Sequence, residues 1–333
     1  MKRFLHTILR FEVRGPDASA FLNYVLSNVA PPLGCMKSSL MLTRKGNILG
    51  SFKVFHHDQH RSEFILLTYP EREDRDLCWL DRAAAELKMK VEIALVSVYL
   101  ASLALVGPNS RDVLQELTVS DVSDKGFPQR TTRLMRIETV PVIAARTSTS
   151  TGQLSYELFH NRADTLKLYN SLMASGKNYG LVNFGQAAMN IMRLEHGFKL
   201  WGRELTLNTN PYEAGLGDLV DLSKKDFIGK TSAIELSKVK EWSRKQVLVA
   251  CDPLTDLSKT SAVPKGMEVI RKEGSEERIG QVTSGTYSVR MHQPLCYAWV
   301  NSDVTVSDKL YLDVGGTRIG ARVLEEAPFP NKG

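Results

Sequence analysis

The chain has 333 residues, of which 43% are hydrophobic and 24% are charged, so it is long enough for two or three domains with a sizeable buried core. Its formal net charge of +6 suits an anionic small molecule or an acidic partner surface. The basic residues form no stripe interleaved with aromatics, which argues against nucleic acid. No run of about 18 apolar residues occurs, so the sequence predicts no membrane-spanning helix.

Cysteine usage and glycine patterns exclude several classes of site. The four cysteines lie far apart and form no C-x-x-C pair, which excludes an obvious zinc site and argues against a disulfide framework: Cys35, Cys78, Cys251 and Cys296. A reducing compartment is therefore expected. No G-x-G-x-x-G follows an early strand, so the sequence gives no sign of a flavin or nicotinamide domain.

The N-terminal segment MKRFLHTILRF is basic and apolar, as a transit peptide would be, but it runs straight into a strand-turn-helix pattern, so a first strand is preferred. That strand is predicted over 9–14, followed by a turn at Gly15-Pro16-Asp17. A helix over 18–28 comes next, with Asp17 or Ser19 as its N-cap.

Alternating strand and helix patterns fill the next hundred residues. Residues 36–55 predict a hairpin around a Lys45-Gly46-Asn47 turn. The patterns that follow are a strand at 63–70, a helix at 71–88, strands within 91–106, a helix at 109–117, a loop at 119–132, strands at 133–138 and 140–146, and a helix at 162–178 ended by Gly180. Together they predict a mixed sheet layered with helices.

Another helix begins near Met189, where Met192, Leu194 and Phe198 continue one apolar stripe. It presents a mixture of charged and aromatic side chains: Arg193, Glu195, Lys199, Trp201 and Arg203. An Arg fork, a carboxylate and an indole face would suit a planar ligand with amide-like edges and a carboxylate tail. The alternative is a surface helix with i,i+4 ion pairs and one core tryptophan.

The C-terminal third is rich in short β patterns. After a helix at 231–240 and a boundary near 244, six such segments lie within 246–325: QVLVACD, MEVIRK, RIGQVTSG, CYAWVN, LYLDV and IGARVLEE. They predict an all-β module, either a barrel or a jelly roll.

Several motifs in fixed order resemble one known family. RLEHGFKLWGRELTLNTNPYEAGLG, followed by DFIGK at 226–230, is similar to the signature of the glycine-cleavage T-protein (aminomethyltransferase) family. More narrowly, it resembles the folate-binding C-terminal region of dimethylglycine and sarcosine dehydrogenases. The segments LTRKG, DLCW, 106–118 and 279–291 extend the resemblance over nearly the whole chain.

The resemblance implies an α+β fold with a three-lobed, clover-leaf arrangement and a C-terminal barrel or jelly-roll-like domain. The implied divisions are a discontinuous folate-binding domain at 1–55 plus 137–244, a second α/β domain at 56–136, and the C-terminal domain at 245–330. The implied ligand is tetrahydrofolate, which would capture a one-carbon unit from an N-methyl amine and give 5,10-methylenetetrahydrofolate. Flavin would not bind to this chain.

The same resemblance implies site residues. Ser51 falls at the position where the family carries a catalytic aspartate. His56 or His57 could act as a base nearby, although a solvated strand end is the simpler interpretation. The pterin pocket would be lined by Arg193, Glu195, Trp201, Gln153 and Tyr156, with Gln153 replacing a family glutamate, and Arg290 could meet a folate glutamate tail.

Three functions remain open at this stage. One is an aminomethyltransferase-like domain working with a flavin-dependent amine dehydrogenase domain or subunit. The second is a folate-binding or regulatory module that has lost catalysis, favoured by Ser51 and Gln153. The third is a demethylase that uses another methyl donor on the same scaffold. The expected location is the mitochondrial matrix in a eukaryote and the cytoplasm otherwise.

Overall fold

A computed structural model describes residues 9–58, 63–69, 72–148, 152–254 and 262–329. The described residues within 1–149, 153–183 and 218–234 form one compact unit, called unit 1, and those within 150–152, 184–217 and 235–333 form unit 2. The three-domain division inferred from the family resemblance stays a prediction. No helix in the described part of the chain is long and apolar enough to cross a membrane.

Unit 1 begins with a five-stranded antiparallel sheet in the order β2-β3-β4-β1-β5. Its strands are β1 (Leu9–Arg14), β2 (Met36–Leu42), β3 (Ile48–Asp58), β4 (Glu63–Thr68) and β5 (Glu92–Leu95). Helices α1 (Ala18–Val25) and α2 (Glu73–Leu87) cover one face, because alternate residues such as Phe11 and Val13 point towards them and are fully buried.

A second antiparallel sheet of unit 1 has the order β6-β9-β8-β7. It contains β6 (Leu100–Val106), β7 (Thr132–Ile137), β8 (Val140–Ser148) and β9 (Leu154–Asn161), with α3 (Ser110–Leu117) and α4 (Thr165–Gly176). The two sheets of unit 1 share a small apolar cluster in which the rings of Phe55 and Phe159 meet edge to face at 5.3 Å.

Unit 2 contains α5 (Gln186–Glu195) and a closed six-stranded barrel in the order β10-β13-β12-β11-β14-β15. The strands are β10 (Arg244–Cys251), β11 (Val269–Lys272), β12 (Arg278–Ser288), β13 (Gln293–Asn301), β14 (Lys309–Val314) and β15 (Thr317–Leu324). These six strands correspond to the six β patterns of the sequence, so an α+β fold with a C-terminal barrel is confirmed. Helix α6 (Lys230–Ser237) precedes the barrel in the chain.

The hairpin around Gly46 is confirmed, with Gly46 at a φ of 81°, but several helix ends differ from the prediction. Helix α1 ends at Val25, and no side chain caps it, because the Asp17 carboxylate instead accepts a hydrogen bond from the Lys90 amide at 2.7 Å. Helix α5 ends at Glu195 rather than continuing to Phe198, since Gly197 takes a φ of 75° that ends the helix. Residues 1–8, which carry the transit-peptide question, lie outside the described residues.

Candidate functional site

The second strand of the hairpin carries Ser51 next to Gly50. Ser51 pairs with Leu40 and Gly50 pairs with Met41 across the hairpin. A Cβ atom added at Gly50 would lie 2.0 Å from Nη2 of Arg72, so a side chain at residue 50 would require that guanidinium to shift. This strand therefore presents a hydroxyl at 51 and bare backbone at 50.

The group beside Gly50 is a buried cation. Arg72 donates from Nε to Asp76 at 3.0 Å, its Nη2 also donates to that carboxylate, and its guanidinium lies 5.5 Å from the centre of the Phe52 ring. Burial lowers the pKa of Arg72, and the ion pair with Asp76 opposes that shift. Arg75 lies 3.3 Å from the other oxygen of Asp76, so two cations share one carboxylate.

Lys53 follows Ser51 on the same face of β3, because residues two apart on a strand point the same way. Burial lowers the pKa of Lys53, and the charge of Glu157 opposes that shift. Glu157 also accepts a hydrogen bond from Ser102 at 2.7 Å, and Ser102 in turn accepts one from Arg10 at 2.7 Å. Sequence reasoning missed this group of charges, although Arg10 stands among apolar residues in a predicted strand and Glu157 lies between Tyr156 and Leu158.

The two histidines of β3 have separate surroundings. His56 stacks on Phe64 at 4.1 Å, and its Nδ1 lies 3.1 Å from the Pro31 carbonyl oxygen. His57 lies with Glu12 and Glu63, and one ligand atom from each residue falls within 4.8 Å of the others. A guanidinium nitrogen of the neighbouring Arg14 is 3.6 Å from Glu12.

The predicted pterin residues of unit 1 lie on either side of the start of β9. Tyr156 is fully buried in the core of the second sheet, with its ring 5.8 Å from that of Phe127. Gln153 precedes the strand and is half-buried. Of these two residues, Gln153 is therefore the one whose polar side chain is accessible to a ligand.

In unit 2, the guanidinium of Arg193 in α5 is hydrogen-bonded to other groups of the protein. It donates from Nη1 to Glu204 at 2.9 Å and from Nη2 to Ser284 at 2.8 Å. Its remaining contacts are Nε to Asn190 at 2.8 Å and Nη1 to the Phe198 carbonyl at 3.1 Å. These bonds join α5, the loop after it and strand β12.

Glu195 and Arg290, two residues that the sequence singled out separately, lie together. Glu195 accepts a hydrogen bond from Ser288 at 2.6 Å, and one of its oxygens is 3.9 Å from Nη1 of Arg290. The guanidinium of Arg290 lies 3.4 Å from the centre of the Phe329 ring. The Arg290 side chain is 50% exposed, whereas that of Glu195 is 2% exposed, so the arginine is the accessible member of the pair.

The remaining predicted residue, Trp201, follows α5 in an irregular segment, where it is half-buried and forms a single β-bridge with Leu205. Lys199, nearby in the chain, lies 5.7 Å from the centre of the Tyr297 ring. Burial lowers the pKa of Lys199 and raises that of Tyr297. Tyr297 also donates a hydrogen bond to the Gly197 carbonyl, which holds the end of α5 against the barrel.

Comparison with known proteins gives a consistent picture. The model of the GCVT N-terminal domain matches residues 5–224, and that of the glycine cleavage T-protein C-terminal barrel domain matches residues 247–329. The chain is 36% identical to human mitochondrial dimethylglycine dehydrogenase over 95% of its own length and 36% of that protein's. It thus spans about one third of the dimethylglycine dehydrogenases that it matches.

Shorter relatives are matched over most of their length. The chain is 30% identical to an aminomethyltransferase of a Geobacillus species, covering 96% of this chain and 84% of that protein. Among solved structures, the aminomethyltransferase T of Bartonella henselae superimposes with a TM-score of 0.81 over 98% of this chain and 84% of that one, at 21% identity. That structural match supports the fold.

Proposed function

The chain belongs to the glycine cleavage T-protein (aminomethyltransferase) family, and from this we propose that it binds a reduced folate and loads it with a one-carbon unit. The unit comes from an N-methyl amine of the dimethylglycine or sarcosine type, and the product is 5,10-methylenetetrahydrofolate. The observation that carries this proposal is the match of both family domains, 5–224 and 247–329, together with 36% identity to a dimethylglycine dehydrogenase.

Unit 2 offers a donor set that fits part of a folate. Arg290 is exposed and stacked on Phe329, so its guanidinium can take a carboxylate of the glutamate tail. Glu195 is 2% exposed and lies 3.9 Å from Arg290, so in this proposal it orients that guanidinium, with Ser288 holding its carboxylate, and does not meet the pterin at the opposite end of the same folate. Arg193 serves instead to hold α5 in place, because its guanidinium already donates to four protein acceptors.

Within unit 1, the proposal concerns Gln153 and Ser51. The Gln153 amide both accepts and donates, so it can pair with a pterin edge without adding charge. Bound tetrahydrofolate would supply the two nitrogen atoms to which the transferred one-carbon unit becomes bonded. The Ser51 hydroxyl can orient a proton by hydrogen bonding but stays neutral near pH 7, so it cannot offset a cationic iminium as a carboxylate would.

A second candidate is a folate-binding or regulatory module without catalytic activity. The arrangement around Gly50 favours it: the position before Ser51 has no side chain, and the buried guanidinium of Arg72 lies beside it. A cation there opposes, rather than replaces, the negative charge expected next to an iminium.

Substitution of Ser51 separates the two candidates. The test compares the parent chain, Ser51→Asp and the uncharged isostere Ser51→Asn for formation of 5,10-methylenetetrahydrofolate from formaldehyde and tetrahydrofolate above the uncatalysed rate. Turnover by the parent, or a gain of about 10-fold or more in the aspartate over the asparagine variant, supports the transferase. Folate binding without turnover in all three supports the inactive module, and absence of folate binding in all three refutes both.

The partner of this chain is proposed to be a flavin-dependent amine dehydrogenase domain or subunit that generates the one-carbon unit. The support is that the 36% identical relative is a dimethylglycine dehydrogenase of which the chain covers about one third. Because that relative is mitochondrial, the proposed location in a eukaryote is the mitochondrial matrix.

A further inference from the structure

A cleft of about 700 Å³ lies against the barrel, and all its lining residues belong to unit 2. Its walls come from the loop after α5, the start of β10, the segment before β11, the first half of β12 and the end of β13. Four cationic side chains line it, Arg203, Arg244, Lys265 and Arg278, and no carboxylate is among the lining residues.

One of the four cations is already neutralised. Arg244 donates to Glu213 from Nε at 3.1 Å and from Nη2 at 3.0 Å, and its guanidinium lies 4.3 Å from the centre of the Trp299 ring. The result is a fixed platform of stacked arginine and indole at one end of the cleft. The charge of this pair does not attract an anion.

The other three cations, Arg203, Lys265 and Arg278, are exposed and form no ion pair with any carboxylate in the described part of the chain. Arg278 donates from Nη2 to the neutral Gln281 at 2.7 Å, which aims its guanidinium without reducing its charge.

Two carboxylates that contact residues of the cleft are already hydrogen-bonded or ion-paired. Glu204 accepts from Thr283 at 3.0 Å beneath the cleft, but it is paired with Arg193. Glu268, at the edge, accepts from the backbone amides of Lys265 and Gly266 at 2.8 Å each. Three cations without an ion-pair partner among the described residues thus line the cleft, and no carboxylate lines it.

We propose that this cleft binds a phosphorylated small molecule carrying at least two negative charges. Arginine forks bind phosphate oxygens in pairs, and three cations around one cavity match a compact group of several charges better than a single carboxylate. An inorganic anion fills only a small part of about 700 Å³. Met267, Ile279 and the Trp299 platform would take the organic body.

The probes for this proposal are inorganic pyrophosphate, adenosine diphosphate and citrate, titrated into the purified chain by calorimetry at low and moderate salt. The variants are Arg203→Gln and Arg278→Gln, with Arg322→Gln as the matched control, because Arg322 is an exposed arginine of β15 that does not line the cleft. The thermal unfolding midpoint of each variant shows whether it is folded.

The proposal predicts saturable binding of both phosphate probes, with adenosine diphosphate the tighter because of its organic body. Each cleft variant weakens binding about 10-fold and the control about 2-fold or less. Equal losses in all three variants mean non-specific charge attraction and overturn the proposal. So does citrate binding as tightly as pyrophosphate, which assigns the cleft to polycarboxylates, or the absence of saturable binding up to millimolar concentrations.

Discussion

Arg193 and Glu204 form an ion pair of 2.9 Å whose two side chains are 4% and 0% exposed. The pair is completed by Ser284 of β12, which bonds to both partners. A charge this deeply buried is tolerated because its partner and neighbouring donors satisfy it. Arg193 therefore fastens α5 to the barrel, together with the hydrogen bond from Tyr297 to the Gly197 carbonyl.

Removal of this arginine tests that role. Arg193→Met leaves the Glu204 carboxylate buried without its cation, so the free energy of unfolding should fall by about 3–5 kcal/mol. Urea denaturation followed by tryptophan fluorescence measures the change. Arg203→Met is the matched control, since Arg203 is exposed and should cost about 0.5 kcal/mol or less. A loss in Arg193→Met no larger than the control would show that the pair does not hold α5.

Glycine at position 50 is expected to be needed for full stability, because the Arg72 guanidinium lies against it. Gly50→Ala places a methyl group 2.0 Å from Nη2 of Arg72 and should lower the free energy of unfolding by about 1–3 kcal/mol. Ser51→Ala, one residue along the same strand, should change it by about 0.5 kcal/mol or less. Chemical denaturation of both variants is the measurement, and equal stability of the two would mean that Arg72 moves aside freely.

The sequence predicted the elements better than it predicted the site. Hydrophobic alternation and turn residues such as Gly46 depend on neighbours in the chain, so the hairpin and the six barrel strands were correctly predicted. Residue type suits Arg193 and Glu195 to a planar ligand, and the family resemblance implies that both line the pterin pocket. Their partners Ser284 and Ser288 lie about ninety residues away in the chain. No local sequence pattern therefore shows that Arg193 forms a buried ion pair, or that Glu195 lies beside Arg290.

The guanidinium beside Gly50 could not have been predicted either. Arg72 lies just before α2 and looks like an ordinary surface charge in the sequence, yet only 3% of it is exposed, because it pairs with Asp76 one turn later. Glycine at position 50 was the one signal available, since a strand interior seldom contains glycine without a close approach.

Lys224 gives the stability of the chain a specific pH dependence. Its Nζ donates to the carbonyls of Leu26 and Asn28, and burial lowers its pKa to about 8, although the charge of Asp221 opposes the shift. Below pH 8 the lysine is charged in both states and the folded state bears the cost of burying it. Between pH 8 and about 10.4 the unfolded chain holds the extra proton, so this group makes stability rise with pH.

The readout is the slope of unfolding free energy against pH. In that range the slope of the parent chain should exceed the slope of Lys224→Met by up to about 1.4 kcal/mol per pH unit. This difference in slope does not depend on the absolute stability of the variant. Denaturant titrations at pH 7, 8, 9 and 10 provide the comparison. Parallel slopes for the two proteins would mean that Lys224 titrates normally in the folded state.

The four cysteines should fall into two classes of reactivity. Cys78 is exposed and Cys35 half-buried, whereas Cys251 and Cys296 are buried in the barrel. A hydrogen bond with Cys251 and burial raise the pKa of Cys296, which disfavours its thiolate. An aromatic disulfide reagent at pH 8 should label Cys78 first, Cys35 more slowly and the barrel pair only after unfolding. Fast labelling of either barrel thiol in the native protein would show that the barrel opens.

Folate binding is the central claim, and titration of the purified chain with 5-formyltetrahydrofolate tests it most directly. Heat and tryptophan fluorescence are followed together in the parent, Arg290→Gln and the control Arg322→Gln. The account predicts a dissociation constant in the micromolar range, weakened about 10-fold in Arg290→Gln and unchanged in the control. No binding by the parent up to millimolar folate would contradict it and leave the chain a scaffold or interaction module.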